Sequence, residues 1–302
     1  MHFQPTLIAD VLELIPPRGR SQLTSTAALE DRVPLVLDSP HSGCVYPEDF
    51  NCAINLNVLR RLEDTWVDEL FSAAPDHGAY LLRALFPRSY IDPNRHQEDI
   101  DNDMLVEPWP DGVNPSDKVK WGKSLFFRQV SEQSVYDRQL ELEEVKRRLE
   151  GYYWPYHQHL HSVLDALWDA HGHVYHLNCH SMPGVSPENT PEGPGVTRAD
   201  FVLGDRDGST CDDDFTNFVY HFLVDAGFEV KINDPYKGVE LVRRYSDPAK
   251  GRHSLQIEIN RSLYMTRGGF QKSANFPVLK ATLDDLLAAL CEYVNQQGKS
   301  VV

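Results

Sequence analysis

Three short polar segments of the sequence carry side chains that could act together in catalysis. They run over residues 38–43, 178–181 and 257–261 and include His41 and His180. Two imidazoles and one carboxylate suit a catalytic zinc ion, which keeps a coordination position open and acidifies the water that binds there. A single loop histidine is more often an ordinary hydrogen-bonded residue. Two histidines at matching strand ends make a metal site more plausible. The alternative, that both are ordinary hydrogen-bonded loop residues, stays open.

Either of two neighbouring acidic residues, Glu63 or Asp64, could be the third metal ligand. If residues 59–71 form one continuous helix, Glu63 falls on its apolar face, where a carboxylate needs a partner. If the helix begins at Thr65 instead, Asp64 is its N-cap, which is a purely structural role. The residue types alone do not choose between the two carboxylates.

Glu258 lies between Ile257 and Ile259, in a segment whose residues predict a buried strand. A buried carboxylate needs a paired charge, a metal or a catalytic role. The catalytic roles that fit are general base toward an activated water and proton donor to a departing amine. A structural salt bridge, with Arg261 as the partner, is the alternative.

The charge balance of the chain restricts the partners of such a site. The sequence has 29 basic and 45 acidic residues, a formal net charge of −16. This balance argues against nucleic acid, which requires a basic surface, and against an anionic membrane. An anionic substrate would need local arginines, which can bind a carboxylate through two parallel hydrogen bonds. The candidates in loop segments are Arg83, Arg88, Arg95, Arg243, Arg244, Arg252 and Arg261.

Strand and helix patterns alternate along the whole chain and would position these segments. Buried strands are predicted over residues 34–38, 81–85, 174–179, 201–203, 228–232 and 255–259. Helices are predicted over 55–74 in one or two pieces, 124–170 with a break near Gly151 and Pro155, 215–226 and 276–296. Residues 1–30 are mixed, with a loop at Pro16-Pro17 and Gly19. Residues 98–122 are irregular and suit a functional loop or lid. The alternation predicts one α/β domain over residues 1–302, with a mixed, largely parallel sheet sandwiched between helices.

The cysteines and the hydropathy pattern indicate a compartment. Five widely spaced cysteines without a CxxC pair favour neither a zinc knuckle nor a disulfide framework. A reducing environment is the simpler expectation. Because the N-terminus lacks a signal-like pattern and no apolar stretch is long enough for a membrane span, we expect a cytoplasmic protein.

Taken together and in order, five motifs resemble the N-formylglutamate amidohydrolases. They occupy residues 39–43, 63–65, 90–95, 178–183 and 256–261, and the resemblance extends from about residue 34 to about residue 290. That family is similar in fold to zinc carboxypeptidases, with a mixed sheet between helical layers. The resemblance implies hydrolysis of N-formyl-L-glutamate to L-glutamate and formate, the final step of histidine degradation in bacteria.

The resemblance also implies a metal centre. His41, Asp64 and His180 would be the ligands, which favours Asp64 over Glu63, and the cofactor would be zinc or another divalent metal. Glu258 would be the general base.

The substrate that the resemblance implies is a small anionic molecule. Arg88 would polarise its formyl carbonyl, and Asn94 and Arg95, with Arg261, would hold a substrate carboxylate. We expect neither nucleic acid nor a membrane as a partner, and the oligomeric state stays open.

Two loop positions depart from the residues that the resemblance leads us to expect. They are Val239 and the pair Thr266-Arg267, both in loops near the expected site. A related zinc hydrolase acting on another N-acyl amino acid or a short peptide is therefore the alternative. A non-catalytic binding protein on the same fold is a more distant one, since such a protein usually lacks one of His41, His180 or Glu258.

Overall fold

A mixed eight-stranded sheet lies at the centre of the chain. The computed structural model describes residues 4–18, 29, 32–188, 190, 192–266, 268 and 270–297. The sheet strands are β1 (Thr6–Ile8), β2 (Leu12–Ile15), β3 (Leu35–Ser39), β4 (Tyr80–Ala84), β7 (Val174–Met182), β8 (Phe201–Gly204), β9 (Val230–Ile232) and β10 (Arg252–Asn260), and a separate hairpin pairs β5 (Gln129–Val130) with β6 (Gln133–Ser134). Their order in the sheet is β1-β2-β4-β3-β7-β10-β8-β9.

The four central strands β4, β3, β7 and β10 run parallel to one another. At one edge β2 is antiparallel to β4, and at the other β8 is antiparallel to β10. The prediction of a mixed, largely parallel sheet is confirmed. Since parallel strands end on the same side of a sheet, the residues that leave β3, β7 and β10 meet at one edge of the molecule.

The strands differ from the prediction in two respects. The edge strands β1 and β2 lie in the mixed early stretch, ahead of the loop predicted at Pro16-Pro17, where no strand was predicted. β7 continues to Met182, three residues past the predicted end at 179, so His180 lies on the strand instead of following it. The strand is fully buried over its whole length, which is possible because each polar side chain on it has partners.

The helices cover both faces of the sheet. They are α1 (Leu56–Leu59), α2 (Val67–Leu70), α3 (Ala74–His77), α4 (Leu142–Arg148), α5 (Trp154–His171), α6 (Asp213–Asp225), α7 (Glu240–Arg244) and α8 (Phe276–Gln297). Neighbouring residues on a strand point to opposite faces. Val36 thus packs into the cluster that Leu160 of α5 covers, and Leu37 packs into the cluster that Leu283 of α8 covers. Each such fully buried aliphatic side chain contributes about 1.5–3 kcal/mol to folding.

The predicted helix over residues 55–74 is broken into three short helices and a 3-10 turn. Glu63 ends the 3-10 turn, and α2 has Trp66 as its N-cap, in the left-handed region at φ 62°. Asp64 caps neither helix. Its backbone N–H instead donates to the carbonyl of His41 at 2.9 Å, which fixes the Asp64 backbone beside the end of β3.

The predicted helix over residues 124–170 begins only at Leu142, because residues 124–141 form the β5–β6 hairpin and irregular chain. The predicted break is present as a π-helical turn, Leu149–Tyr153, that contains Gly151 and joins α4 to α5. Residues 98–122 contain only two short 3-10 turns, as the irregular pattern predicts.

No helix within the described ranges is both long enough and apolar enough to cross a bilayer. The prediction of a single domain over residues 1–302 includes positions outside those ranges and stays a prediction. The likeness to zinc carboxypeptidases also stays a prediction.

Candidate metal centre and active site

The candidate site lies at the carboxyl ends of adjacent parallel strands. His41 follows β3 by two residues, while His180 and Glu258 lie opposite each other in the register of β7 and β10. Paired residues on neighbouring strands project from the same face of a sheet. The sheet therefore places the imidazole of His180 and the carboxylate of Glu258 side by side.

Three side chains converge to form a compact group of potential metal ligands. One ligand atom each from His41, Asp64 and His180 lies within 4.8 Å of the others. Asp64 Oδ2 is 3.4 Å from His41 Nδ1 and 3.0 Å from His180 Nδ1, and all three side chains are almost fully buried. These are the three residues predicted as ligands from the family resemblance.

The partners of the two imidazoles determine which ring nitrogens face the centre of this group. His41 Nε2 lies 2.7 Å from Asp92 Oδ1, and His180 Nε2 lies 2.7 Å from the side-chain oxygen of Asn178. Asp92 is an acceptor, so in a neutral His41 imidazole Nε2 carries the proton. His180 Nε2 also lies 3.2 Å from Asn94 Nδ2, which is a donor. In both rings Nδ1 faces Asp64.

A cation fits the centre of the group because the two Nδ1 atoms and the Asp64 oxygen face one another there. His41 Nδ1 is buried and has no hydrogen-bond partner among the described residues. Two nitrogen lone pairs and one carboxylate oxygen form the donor set of a catalytic zinc site, and an acceptor on the remote nitrogen of each imidazole is the usual support. We conclude that the residues present suit a divalent metal.

The alternative third ligand, Glu63, is turned away from the histidines. Its carboxylate accepts a hydrogen bond from the Tyr46 hydroxyl at 2.8 Å and from Arg60 Nε at 3.3 Å. Burial raises its pKa. The geometry therefore selects Asp64, which the family resemblance had favoured.

The free oxygen of Asp64 is held by an arginine. Arg261 Nη2 donates to Asp64 Oδ1 at 2.8 Å, and the same guanidinium donates to Ser181 Oγ and to the carbonyl of Arg61. Burial alone would raise the pKa of Asp64, but the contacts with His180 and His41 and the charge of Arg261 hold it well below its ordinary value. Arg261 was predicted to hold substrate. The structure places it on a candidate ligand, and substrate contact stays a prediction.

Asp92 is a functional residue to which the sequence reasoning assigned no role. Its buried carboxylate accepts from His41 Nε2, from the backbone N–H of Asn94 at 2.8 Å and from Arg88 Nη2 at 2.7 Å. Burial would raise the pKa of Asp92, but Arg88, His41 and Arg95 together lower it well below its ordinary value. The only signal in the sequence was its position inside the motif over residues 90–95.

Arg88 is held in a fixed position and remains partly exposed. Both its Nε and its Nη2 donate to Asp92 Oδ2, so its position is fixed, and its side chain retains 17% of its exposure. Arg95 is more enclosed, since its Nε and Nη1 donate to the carbonyls of Lys123 and Asn94. Asn94 Oδ1 accepts from the N–H of Leu241 in α7, two residues after Val239. Substrate roles for Arg88, Asn94 and Arg95 stay predictions.

Glu258 has the environment of a proton-transfer group. It is 9% exposed, and its carboxylate accepts one hydrogen bond, from Gln256 Nε2 at 3.0 Å. Burial and the nearby charge of Asp64 raise its pKa to about 7, against the opposing effect of His180. A carboxyl group that exchanges a proton near neutral pH can serve first as a base and then as an acid. The predicted catalytic role fits this environment, and the salt bridge to Arg261 does not form, since that guanidinium binds Asp64.

A second layer of polar residues supports His180. Asn178 Nδ2 donates to Asp38 Oδ1 at 2.6 Å, and this turns the Asn178 oxygen toward His180. Asp38 is fully buried and also accepts from the Tyr156 hydroxyl at 2.8 Å and from His176 Nε2 at 3.0 Å. No role was predicted for these residues, although alternation along β7 places residues 176, 178 and 180 on one face.

Of the positions that depart from the family pattern, Arg267 lies outside the described residues.

Comparison with known proteins decides the family. The family model for N-formylglutamate amidohydrolase matches residues 33–265 of this chain. The chain belongs to the N-formylglutamate amidohydrolase family. The resemblance noted from its motifs is thereby confirmed, and the matched range contains every residue of the candidate site.

Curated and solved relatives agree with this assignment. An N-formylglutamate deformylase of Pseudomonas putida is 30% identical over 248 residues, which cover 78% of this chain and 83% of the relative. The corresponding protein of Pseudomonas aeruginosa is 28% identical, with the same coverage of both chains. The crystal structure of an N-formylglutamate amidohydrolase from Ralstonia eutropha JMP134 is 41% identical, covers 96% of this chain and all of its own, and superposes with a TM-score of 0.87. A gene product from Agrobacterium tumefaciens, 17% identical with a TM-score of 0.61, shares the fold.

Proposed function

We propose that the protein is a metal-dependent hydrolase that converts N-formyl-L-glutamate to formate and L-glutamate. The observation that supports the metal dependence is the convergence of ligand atoms of His41, Asp64 and His180 within 4.8 Å of one another, beside Glu258. The proposed substrate, N-formyl-L-glutamate, is inferred from the names of the relatives. A zinc ion held by His41, Asp64 and His180 would act as a Lewis acid on the carbonyl group and would lower the pKa of water.

Glu258 moves the proton in this proposal. It accepts a proton from the attacking water, whose oxygen adds to the formyl carbon. It then returns the proton to the glutamate nitrogen as the C–N bond breaks, so that formate and a free amine are released. A pKa near 7 allows both steps near neutral pH. The Arg88 guanidinium, fixed by Asp92, donates a hydrogen bond to the carbonyl oxygen as negative charge develops on it.

The substrate is a small anion, and the site offers local positive charge in a chain whose net charge is −16. Asn94, Arg95 and Arg261 are proposed to contribute to holding its carboxylates, although part of each side chain is already bonded within the protein. A cytoplasmic location and a role at the end of histidine degradation go with the proposal and rest on the family resemblance. Hydrolysis of another N-acyl amino acid or a short peptide is the remaining alternative.

The test is formate release from N-formyl-L-glutamate by zinc-loaded protein, with N-acetyl-L-glutamate as the competing substrate. A pocket shaped for a formyl group should reject the additional methyl group by about 10- to 200-fold, as hydrophobic pockets do for one methylene. Faster turnover of the acetyl compound would favour the alternative. A Glu258→Gln variant should bind zinc with unchanged stoichiometry and lose about 100-fold or more of its rate. Full activity in that variant would refute the proposed role of Glu258.

Two adjacent carboxylates provide a matched control for the metal ligands. Asp64→Asn should reduce zinc binding strongly, since an amide oxygen is a far poorer ligand than a carboxylate. Glu63→Gln changes an equally buried neighbour whose side chain bonds to Tyr46 and Arg60, and it should leave zinc binding unchanged. Equal loss of zinc from both variants would contradict the ligand assignment.

A further inference from the structure

Lys118 brings an additional positive charge to the candidate site. It belongs to the 3-10 turn Asp117–Trp121, within the irregular segment over residues 98–122, and it is only partly exposed. Its ammonium interacts electrostatically with Arg95 and Arg88, which repel it, and with Asp92 and Glu258, which attract it. Lys118 therefore lies within electrostatic range of groups that surround the candidate reacting centre.

The backbone around Lys118 is fixed to the wall of the site. Its carbonyl accepts from the N–H of Lys123 at 3.0 Å, and the carbonyl of Lys123 accepts from Arg95 Nε at 3.0 Å. On the other side Ser116 donates to the buried carboxylate of Asp99 through both its N–H and its hydroxyl, at 2.7 and 2.9 Å. The Arg95 guanidinium and the backbone of Lys118 are thus held close together through Lys123.

The positive charge at this position is not neutralised by the protein. Arg88 is paired with Asp92 at 2.7 Å, whereas Arg95 Nη2 lies 3.9 Å from the same carboxylate. Within the described chain, Lys118 forms no ion pair with any carboxylate, and no hydrogen bond from its ammonium is present. Burial and the two arginines lower its pKa well below the ordinary value. A cation in such surroundings is stabilised when an anion binds.

We propose that Lys118 binds the side-chain carboxylate of the substrate and so selects N-acylated acidic amino acids over neutral ones. The inference rests on the proposed function and adds a specificity residue to it. The strongest electrostatic interactions of Lys118 are with Arg95 and Arg88, not with the three candidate ligands. Of the two carboxylates of N-formyl-L-glutamate, the side-chain one lies farther from the formyl carbon, so it is the one that Lys118 meets.

The experiment compares kcat/KM for N-formyl-L-glutamate and for its neutral isostere N-formyl-L-glutamine. The variants are Lys118→Met, Lys118→Arg and the control Lys120→Met. Lys120 lies on the same turn, but its side chain is 77% exposed and pairs with Asp117 at 2.7 Å. The loss of a charged hydrogen bond predicts that Lys118→Met turns over the glutamate compound about 10- to 100-fold more slowly, with little change for the glutamine compound. Lys118→Arg retains most of the preference, and Lys120→Met matches the wild type.

Two results would overturn the inference while the proposed function stands. One is an active Lys118→Met variant with the wild-type preference for glutamate over glutamine. The other is an equal loss on both substrates, which would assign Lys118 a structural role. If the zinc-loaded wild type releases formate from neither compound, the proposed function itself is wrong, and the inference is refuted with it.

Discussion

Replacement of Asp92 by Asn tests whether the centre beside His41 binds a metal. The carboxylate of Asp92 is fully buried and accepts from Nε2 of His41 at 2.7 Å. An ionised acceptor there makes the opposite nitrogen, Nδ1, a stronger ligand and holds the ring in place. Asn has nearly the same shape as Asp, but it lacks the negative charge that contacts both Arg88 and His41.

The expected effect on metal binding follows from that geometry. Loss of an outer carboxylate of this kind weakens metal affinity by about 10- to 100-fold, which corresponds to ~1.4–2.7 kcal/mol. The assay is competition for zinc between the protein and a chromophoric chelator, from which the Kd of each variant is obtained. Because the variant also leaves the Arg88 guanidinium without its carboxylate, its free energy of unfolding should fall as well.

A control separates these two effects. Asp101 is also buried and pairs with Arg128 at 2.8 Å, and none of its hydrogen bonds reaches a candidate ligand. Asp101→Asn should lower stability and leave the zinc Kd unchanged. If Asp92→Asn binds zinc as tightly as the wild type and Asp101→Asn do, then Asp92 does not support a metal ligand and the reasoning fails.

Three further substitutions have defined outcomes. Asn178→Leu removes the acceptor of His180 Nε2 and should weaken zinc binding about 10-fold or more in the same chelator competition; unchanged affinity would contradict the support given to His180. Arg148→Met removes a fully buried guanidinium that pairs with Glu144, and urea denaturation should find it about 3–5 kcal/mol less stable; a loss below about 1 kcal/mol would mean that the pair matters little. Burial lowers the pKa of His157 to about 3, so its neutral form stabilises the fold above about pH 6.5 and this contribution is lost as the pH falls toward 3. From pH 7 to pH 5 the wild type should therefore lose about 2 kcal/mol more stability than His157→Gln, and equal losses in urea titrations at the two pH values would refute the assignment.

The strands that carry the candidate site were predictable from the sequence. Short apolar runs followed by polar residues located β3, β7 and β10, and the rule that parallel strands end together predicted that their polar residues would meet. The amphipathic pattern over residues 276–296 likewise predicted α8 almost to the residue. These features depend on local periodicity, which a single sequence displays directly.

Features that depend on tertiary contacts were not predictable in this way. The strands β1 and β2 are three and four residues long, and they are stable only because β4 pairs with β2. Residues 124–141 have a helical pattern but form a short hairpin and irregular chain. The roles of Asp92 and Asn178 depend on partners far away in the sequence, and no periodicity marks such pairs.

The choice between Glu63 and Asp64 illustrates the same limit. Both are buried carboxylates one residue apart, and the helix pattern of the segment allowed either to point inward. A hydrogen bond from the Asp64 N–H to the His41 carbonyl settles which one faces the histidines. That contact joins two loops and has no signature in either of them.

The most direct test of the central claim is a zinc titration of metal-stripped protein, followed by formate release from N-formyl-L-glutamate. The account predicts that stripped protein releases no formate and that the rate rises linearly with zinc until one equivalent is bound. Full activity in the stripped protein, or activity that does not depend on the first equivalent of zinc, would contradict it.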